Sequence, residues 1–344
     1  MERNRSAVWA IGVLVAAVVI AGCANPALNA LPNKPAVAAT TPAAPPCQTT
    51  AGVISACVRL GDLTTLDPCS LITAGQLPPD LAAAPSDRDS LDHCDFTITA
   101  GSDKNVTLEI GQLESEGVTP GPVRFRAGAQ QLQPEGLELQ QGTLYQGECD
   151  DAVEFTGDQV DLDISVFVLD GSAGSQSLCD AANEVGTALG AVIASNAPVR
   201  HFTVPKNSIA RVRSCDLING TQVGSDTLDG QVGGPSEHYC QWTPDGVSGN
   251  EYGIDLEIGT KLDASDTDGQ VQIHGLPTVV LKSSESSYSR CELDTYRAPW
   301  GGGAGGLVEI ASVWASLGAG QTDEACSQAT QMANAAWPKL PSIS

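Results

Sequence analysis

The sequence predicts an α+β protein made of two consecutive domains, each an antiparallel sheet packed by an N-terminal and a C-terminal helix. Three observations support this prediction: four cysteines recur in the same order in each half, the segments between them alternate apolar and polar residues, and an amphipathic helix follows the last cysteine of each half. We place the two repeats at residues 62–196 and 200–340. Self-similarity of this kind indicates a repeated structural unit.

The cysteine spacing defines the repeat. Two cysteines 25 residues apart open each half, and two more follow at similar separations. The first set is Cys69, Cys94, Cys149 and Cys179, and the second is Cys215, Cys240, Cys291 and Cys326. The flanking residues agree as well, because PCSLI matches SCDLI, CDF matches CQW, and VTLEIGQL at 106–113 matches IDLEIGTKL at 254–262.

Each repeat is expected to begin with a helix. Asp67 followed by Pro68 has the pattern of an N-cap with proline at the first helical position, and Ser214 can cap the matching helix. Strands follow where apolar residues alternate with polar ones. The clearest case is 160–168, where Val160, Leu162, Ile164, Val166 and Val168 alternate with Asp161, Asp163, Ser165 and Phe167. This pattern predicts a strand with one buried face.

A helix closes each repeat, and its apolar residues share one face at helical spacing. In the first repeat these residues are Cys179, Ala182, Val185, Leu189 and Ile193, and in the second they are Cys326, Ala329, Met332, Ala333, Ala336 and Trp337. Since the cysteine lies on the buried face both times, it can tether the helix to the sheet.

The chain has eleven cysteines, of which ten remain when Cys23 is set aside. In a translocated chain an even number indicates disulfides, and the absence of any C-x-x-C pair disfavours zinc. Four cysteines per repeat allow three connectivities, and the sequence alone does not choose among them. We expect the first to pair with the second and the third with the fourth, together with a Cys47–Cys57 pair ahead of the first repeat.

The N-terminus predicts a secreted, lipid-anchored protein. Arg3 and Arg5 precede an uncharged run at 7–20, which is the layout of a signal peptide and is too short for a comfortable membrane span. The next residues, Ile20-Ala21-Gly22-Cys23, resemble the bacterial lipobox, which implies that residues 1–22 are removed and that Cys23 carries fatty acyl chains such as palmitate. An ordinary signal peptide with an incidental cysteine is the alternative.

Composition limits the possible partners. Residues 23–61 form the lipidated cysteine and a tether, because the stretch 24–46 holds eight Ala and six Pro with one charge. The formal net charge is −24, and removing residues 1–22 takes away one acidic and two basic residues, which leaves about −25. We therefore expect no nucleic-acid partner, because phosphate binding needs clustered Lys and Arg. We expect membrane attachment through the lipid on Cys23, at the extracytoplasmic face of the cell membrane.

The Asp-Pro-Cys-x-Leu start at Asp67, the cysteine before an aromatic-bearing strand and the late cysteine of an Ala-rich helix resemble an actinobacterial lipoprotein family of unknown function. The chain resembles more distantly the extracellular sensor domains of mycobacterial receptor kinases, which are disulfide-bonded α+β modules. The first repeat carries the resemblance best, since Arg213-Ser214 replaces Asp67-Pro68 in the second. The resemblance implies no catalytic residue.

Motifs that could carry chemistry are incomplete. The run GGGAGG at 301–306 lacks the strand before and the helix after that a dinucleotide site needs, and DASDTDGQ at 263–270 lacks two ligands of a calcium loop, so we expect a loop and a solvated turn. His93 and His238 flank the second cysteine of each repeat at offsets that differ by one, which predicts opposite faces of a strand and favours a surface or turn position for each histidine. Glu109 and Glu257 alternate with apolar residues and should face solvent.

These observations predict a non-catalytic binding or sensory module at the bacterial cell envelope, with an unknown envelope protein, glycan or small ligand as its partner. We expect no cofactor, no metal and no catalytic residue. A carrier of an apolar ligand or lipid is the alternative, and an envelope hydrolase has less support because no nucleophile set can be assembled from spacing.

Overall fold

The structure is a computed structural model that describes residues 54–342, except for 82–83, 86–89, 101–102, 116–127, 133–135, 145–146, 169–175, 230–231, 245–249, 285–286 and 302–305. The described residues belong to one compact unit, Thr41–Ser344. The predicted signal peptide, Cys23, Cys47 and most of the tether lie outside the described residues.

Two antiparallel sheets carry the fold, one in each half of the chain. The first has the order β1-β2-β3-β7-β6-β5-β4. Its strands are β1 Ala84–Pro85, β2 Cys94–Ala100, β3 Asp103–Ser115, β4 Gly128–Gln131, β5 Leu137–Gln141, β6 Glu148–Phe155 and β7 Val160–Val168. Six strands thus have four or more residues, and a two-residue strand forms one edge.

The second sheet repeats this order as β10-β11-β12-β16-β15-β14-β13. Its strands are β10 Val232–Gly233, β11 Tyr239–Trp242, β12 Glu251–Thr260, β13 Gly269–Ile273, β14 Leu276–Ser284, β15 Tyr288–Pro299 and β16 Leu307–Gly318. A small hairpin of β8 Gln222–Val223 and β9 Asp226–Thr227 lies apart from both sheets. The fold is therefore mixed α and β with two antiparallel sheets.

The closing helices pack as predicted. In the first half α2, Ser177–Ala194, buries the predicted face from Cys179 to Ile193 against β5, β6 and β7. In the second half α4, Thr322–Ala336, buries Ala329, Met332 and Ala333 against β14, β15 and β16. Each half has its own apolar core, because the helix and the inner sheet face bury their side chains together.

The N-terminal helices are much shorter than predicted. The segment after Asp67 forms only a 3₁₀ turn, Pro68–Ser70, and the side chain of Asp67 makes no cap hydrogen bond. Asp67 is instead buried, and its Oδ2 atom lies 3.6 Å from the guanidinium of Arg200. In the second half α3, Ser214–Ile218, has five residues, and Ser214 lies inside it with a buried hydroxyl rather than acting as its cap. The remaining described helix is α1, Ala56–Leu60.

Four disulfides staple these elements. They are Cys69–Cys94, Cys149–Cys179, Cys215–Cys240 and Cys291–Cys326, with Cα–Cα distances of 4.9, 5.1, 5.2 and 4.9 Å. This is the connectivity expected from the sequence. Two of them hold the short N-terminal elements to β2 and β11, and the other two hold α2 and α4 to β6 and β15. Cys57 is also disulfide-bonded, and its expected partner Cys47 lies outside the described residues.

Both faces of β7 are buried, whereas the alternation predicts one buried face. Asp161, Asp163 and Ser165 point away from the core but are less than 10% exposed. Asp161 and Asp163 each have an interaction partner, as buried charges require. The polar face of this central strand is therefore covered by other parts of the chain, which the period of the sequence does not reveal.

The repeated LEIG segments do not occupy equivalent places. In the first sheet Cys94 lies opposite Ile110, which is the isoleucine of its LEIG segment. In the second sheet Cys240 lies opposite Ile254, which comes four residues before Ile258, the isoleucine of the second LEIG segment. The matching cysteines therefore align Ile110 with Ile254, and the sequence match of Glu109 with Glu257 is out of register by four residues. The disulfide, rather than the motif, fixes the register of the sheets.

Candidate functional site: the junction between the halves

The two halves meet through the segment that joins them. His201 forms an isolated β-bridge with Leu66, and the backbone N–H of Phe202 donates to the carbonyl of Thr65 over 2.7 Å. The 3₁₀ turns Leu63–Thr65 and Ile209–Arg211 also contact each other. The start of the second half is thus tied to the first half, and we call this contact region the junction.

An apolar cluster fills the junction. Its buried members are Leu91, Val204, Ala210 and Ile258, and the partly buried rings of Phe202 and Trp300 pack against them. Because Leu91 comes from the first half and the others come from the connecting segment and the second half, this cluster buries apolar surface between the halves. The two rings meet edge to face with centroids 5.3 Å apart.

A buried ion pair crosses the junction beside this cluster. His238 is 2% exposed, its Nδ1 atom lies 2.6 Å from Oδ1 of Asp92, and its Nε2 atom lies 3.2 Å from the carbonyl oxygen of Ala210. Both ring nitrogens face acceptors, so the arrangement favours the imidazolium ion. Burial lowers the pKa of His238, but Asp92, the Ala210 carbonyl and Glu237 together outweigh it, and the net pKa is raised.

Of the two placements predicted for His238, the surface one is wrong, whereas the turn one agrees with its position in a bend. His238 precedes β11 rather than lying in a strand, so the face argument from alternation does not apply to it. Asp92 and His238 each stand two positions before the second cysteine of their half. Positions that match in the cysteine framework of the two halves thus contact each other.

A pocket of about 530 Å³ opens at the junction. The connecting segment contributes Phe202, Thr203, Pro205, Asn207 and Ser208, the end of β15 contributes Ala298 and Pro299, the turn after it contributes Trp300 and Gly301, and β16 contributes Glu309. This volume falls in the range of small-molecule sites, and all of the lining residues belong to the second repeat as placed at 200–340. The lining is mostly apolar and aromatic with a few polar groups.

Glu309 is the buried carboxylate among the described residues that line this pocket. It is 3% exposed, and its Oε2 atom accepts a 3.3 Å hydrogen bond from the backbone N–H of Ile209. Burial raises the pKa of Glu309, although hydrogen bonds from Ser208 and Ile209 and the charge of Arg297 act in the opposite direction. Desolvation of the carboxylate therefore exceeds the stabilisation that its present neighbours provide.

The first half has no carboxylate at the place of Glu309. Ala315 lies opposite Cys291, and Val166 lies opposite Cys149, so these registers align Glu309 with Val160. Val160 is buried at the same end of the central strand. The fold therefore accepts an apolar residue at this position, and the acid of the second half is a feature of the pocket rather than of the sheet.

Near the junction, His93, Asp95 and Glu109 form a second polar cluster. One ligand atom from each lies within 4.8 Å of the others, a spacing that could hold a metal ion. His93 lies 3.9 Å from Asp95 and 3.8 Å from Glu109, and all three side chains are partly exposed. Partly exposed acidic and histidine side chains often come this close together without a metal ion between them. The geometry alone therefore assigns no metal to this cluster.

The outer face of the second sheet holds a further set of carboxylates. Asp255 and Asp294 lie opposite Ser312 from its two sides, and burial raises the pKa of each to about 7. The indole Nε1 of Trp314 donates to Asp255 over 3.0 Å, and its ring lies directly on Gly253. This face is therefore polar and buried at once.

Glu109 and Glu257 do not simply face solvent, as was expected. Both are half-buried, and burial raises the pKa of Glu257 well above its ordinary value, with repulsion from Asp255, Asp294, Glu292 and Asp92 adding to it. The reason is that residues of both halves cover the outer faces of the sheets. The sequence pattern predicts instead that these faces are open to solvent.

The other sequence motifs stay at the surface. His201 and His274 are exposed, and the acidic turn at 263–270 is exposed except for Thr267 and Gly269, which are partly buried. In the glycine run, Gly301 and Gly306 have positive φ, which fits a loop, and residues 302–305 lie outside the described residues. Sequence reasoning missed Phe202, Trp300 and Glu309. One signal was available, since Glu309 interrupts an otherwise apolar stretch with small residues from Leu307 to Leu317.

Comparison of the chain with protein-family models, with curated proteins and with solved structures finds no match in any of the three. Among the described residues, no helix is both long enough and apolar enough to cross a membrane.

Proposed function

We propose that the protein is an extracytoplasmic, lipid-anchored binding module of the cell envelope that takes a small ligand in the junction pocket. The observation that carries the proposal is this pocket of about 530 Å³, which contains a buried carboxylate and an aromatic pair. Pockets with a mainly apolar lining and a few fixed polar groups are the usual form of small-molecule sites.

The binding module consists of two copies of one domain. The shared strand order and the matching disulfides of the two sheets support this duplication. Contact between corresponding positions, as at Asp92 and His238, also supports the duplication. Because Val160 replaces Glu309 in the first copy, the two copies have different roles, and the second supplies the ligand-binding groups.

The N-terminal sequence supports the proposed lipid anchor and the extracytoplasmic location. The lipobox-like Ile20-Ala21-Gly22-Cys23 supports acylation of Cys23, and the Ala/Pro-rich tether supports a folded part that stands away from the membrane surface. Replacing Cys23 with Ser should release the protein to the medium or leave the precursor uncleaved. Unchanged processing and membrane retention of that variant would contradict the anchor without affecting the pocket.

Native mass spectrometry of the full-length protein, extracted from membranes, tests ligand binding directly. We expect a bound small molecule on the wild type that is lost from the double variant Phe202→Ala/Trp300→Ala. Tyr288→Ala is the matched control, because Tyr288 is an exposed aromatic residue at the opposite end of β15 from Trp300. Retention of the same ligand by the double variant would refute the pocket as the site, and a bound lipid would favour the carrier alternative.

A further inference from the structure

We propose that the junction pocket selects a small organic cation, whose charged nitrogen lies against Glu309 and whose apolar part packs against Phe202 and Trp300. This inference rests on the proposed function, because it names the ligand class of the same pocket. It follows from the charge of Glu309, the cost of burying it, the aromatic lining and the charge of the whole chain.

Glu309 is the one ionisable side chain among the described lining residues. None of the ion pairs between described residues includes it. The nearby guanidinium of Arg297 is the weakest of the groups that favour the carboxylate, and its Nη2 atom donates to the carbonyl of Pro341 instead. Among the described residues, Glu309 therefore has neutral hydrogen-bond donors and the weak favourable charge of Arg297, but no cation in ion-pair contact.

A buried carboxylate without a cation is costly, and a fold that can avoid this cost normally does. The first half avoids it, because Val160 occupies the corresponding register position. A positively charged ligand would remove the cost in the second half by supplying the missing charge at Glu309. A neutral ligand would supply only a hydrogen bond, and an anionic ligand would raise the cost.

The rest of the pocket fits the apolar part of such a cation. Phe202 and Trp300 present aromatic surface, and Pro205, Ala298 and Pro299 add aliphatic surface. Aromatic rings attract cations through their quadrupoles, and this attraction is strongest for Trp in a site shielded from water. The combination of a carboxylate with aromatic rings therefore favours an alkylated or ring-bearing ammonium over a bare metal ion.

The overall charge of the chain acts in the same direction. At a formal net charge of −24, the surface potential concentrates cations near the protein and repels anions. Partners that carry phosphate or carboxylate groups would thus meet repulsion both at long range and at Glu309.

Choline and its neutral isostere 3,3-dimethylbutan-1-ol test the charge requirement, because they differ only in the replacement of a quaternary nitrogen by carbon. Titration calorimetry with the full-length protein should show choline binding at least about tenfold more tightly than the isostere. Glu309→Gln keeps the shape of the side chain and should reduce choline affinity by about tenfold or more. Asp294→Asn is the matched control, since it removes one buried carboxylate from the same sheet outside the pocket.

The possible outcomes separate the ligand class from the pocket. Preference for choline that is lost in Glu309→Gln and kept in Asp294→Asn supports the inference. Equal binding of choline and the isostere overturns the cation class, and full choline affinity in Glu309→Gln overturns it too. Neither result contradicts the proposed binding function. Absence of choline binding to the wild type also overturns the inference, while mass spectrometry with Phe202→Ala/Trp300→Ala still decides the proposed function. Near-ultraviolet circular dichroism of each variant verifies that the fold is intact.

Discussion

The Nδ1 atom of His238 lies 2.6 Å from the Oδ1 atom of Asp92, which stands 146 residues earlier in the chain. This buried pair joins the two halves at positions that correspond in their cysteine frameworks. Its strength should depend on pH, because a neutral histidine loses the charge that attracts Asp92.

Replacing Asp92 with Asn should lower the free energy of unfolding by about 2 to 4 kcal/mol, since it leaves a buried imidazolium without its counter-charge. Urea unfolding at mildly acidic pH measures this loss. Asp216→Asn is the control, because Asp216 lies at the surface, 4.0 Å from Arg213, and such pairs contribute less than about 1 kcal/mol. Equal losses in the two variants would contradict a special role for the junction pair.

The pH profile gives an independent test of the same pair. The folded-state pKa of His238 is raised, so the stability that the pair contributes is full below about pH 6.5 and is lost as pH rises through the folded-state pKa. Asp92→Asn should remove this part of the pH dependence. Parallel stability profiles for the wild type and the variant would show that His238 does not titrate with folding.

Asp294 should also make the protein more stable in mild acid. Its folded-state pKa is raised from 3.8 to about 7, so the folded state retains a proton that the unfolded chain releases, and stability falls as pH rises from about 4 to about 7. Asp294→Asn should flatten this fall and unfold at a higher urea concentration than the wild type above about pH 7. Asp263→Asn, in an exposed turn, should leave the profile unchanged, and an unchanged profile in Asp294→Asn would be the contrary result.

Gly253→Ala should disturb the outer face of the second sheet. A Cβ atom at Gly253 would lie within 2.2 Å of the Trp314 ring, so the indole would have to move away from Asp255 and from Arg290, which lies 4.3 Å above it. We expect a loss of about 1 to 3 kcal/mol of stability and a shift in tryptophan fluorescence. Gly275→Ala is the control for glycine itself, because its positive φ is strained but no atom lies near its Cβ.

Removal of the Cys291–Cys326 disulfide by a double change to Ser should lower stability by about 3 to 4 kcal/mol on the chain-entropy account of a loop of 35 residues. Chemical unfolding under non-reducing conditions measures the loss. Peptide mapping without reduction checks all four pairs, and a bridge between the halves would contradict the connectivity.

Much of the fold could be predicted because its determinants are local. The apolar residues of α2 from Cys179 to Ile193 recur at helical spacing, and those of β7 alternate with polar residues. Each pattern therefore indicates the type of its element and the face that packs on the core. The helix expected after Asp67 was wrong for a non-local reason. The backbone N–H of Asp67 donates to the carbonyl of Arg200, in the connection between the halves. This contact holds the segment in place, and only a single 3₁₀ turn forms after Asp67.

The candidate site could not be predicted, because its members are far apart in sequence and, apart from Gly301 of the glycine run, none belongs to a motif. Glu309 accepts a hydrogen bond from Ile209, which lies 100 residues earlier in the chain. The rings of Phe202 and Trp300, which are in contact, are separated by a similar length of chain. The one local hint, a glutamate among apolar strand residues, has the same appearance at Glu257, which lies outside the pocket.

The sequence by itself determined the cysteine framework, the central strands named above and the closing helices, because these follow from short-range spacing and composition. It also predicts a lipid anchor at Cys23, which lies outside the described residues. Only the tertiary structure decided the register of the LEIG segments, the burial of His238 and the placement of Glu309 in a pocket. The physical reason is that packing of one half on the other sets the solvent exposure and the charge environment of these side chains, and both depend on contacts between residues distant in the chain.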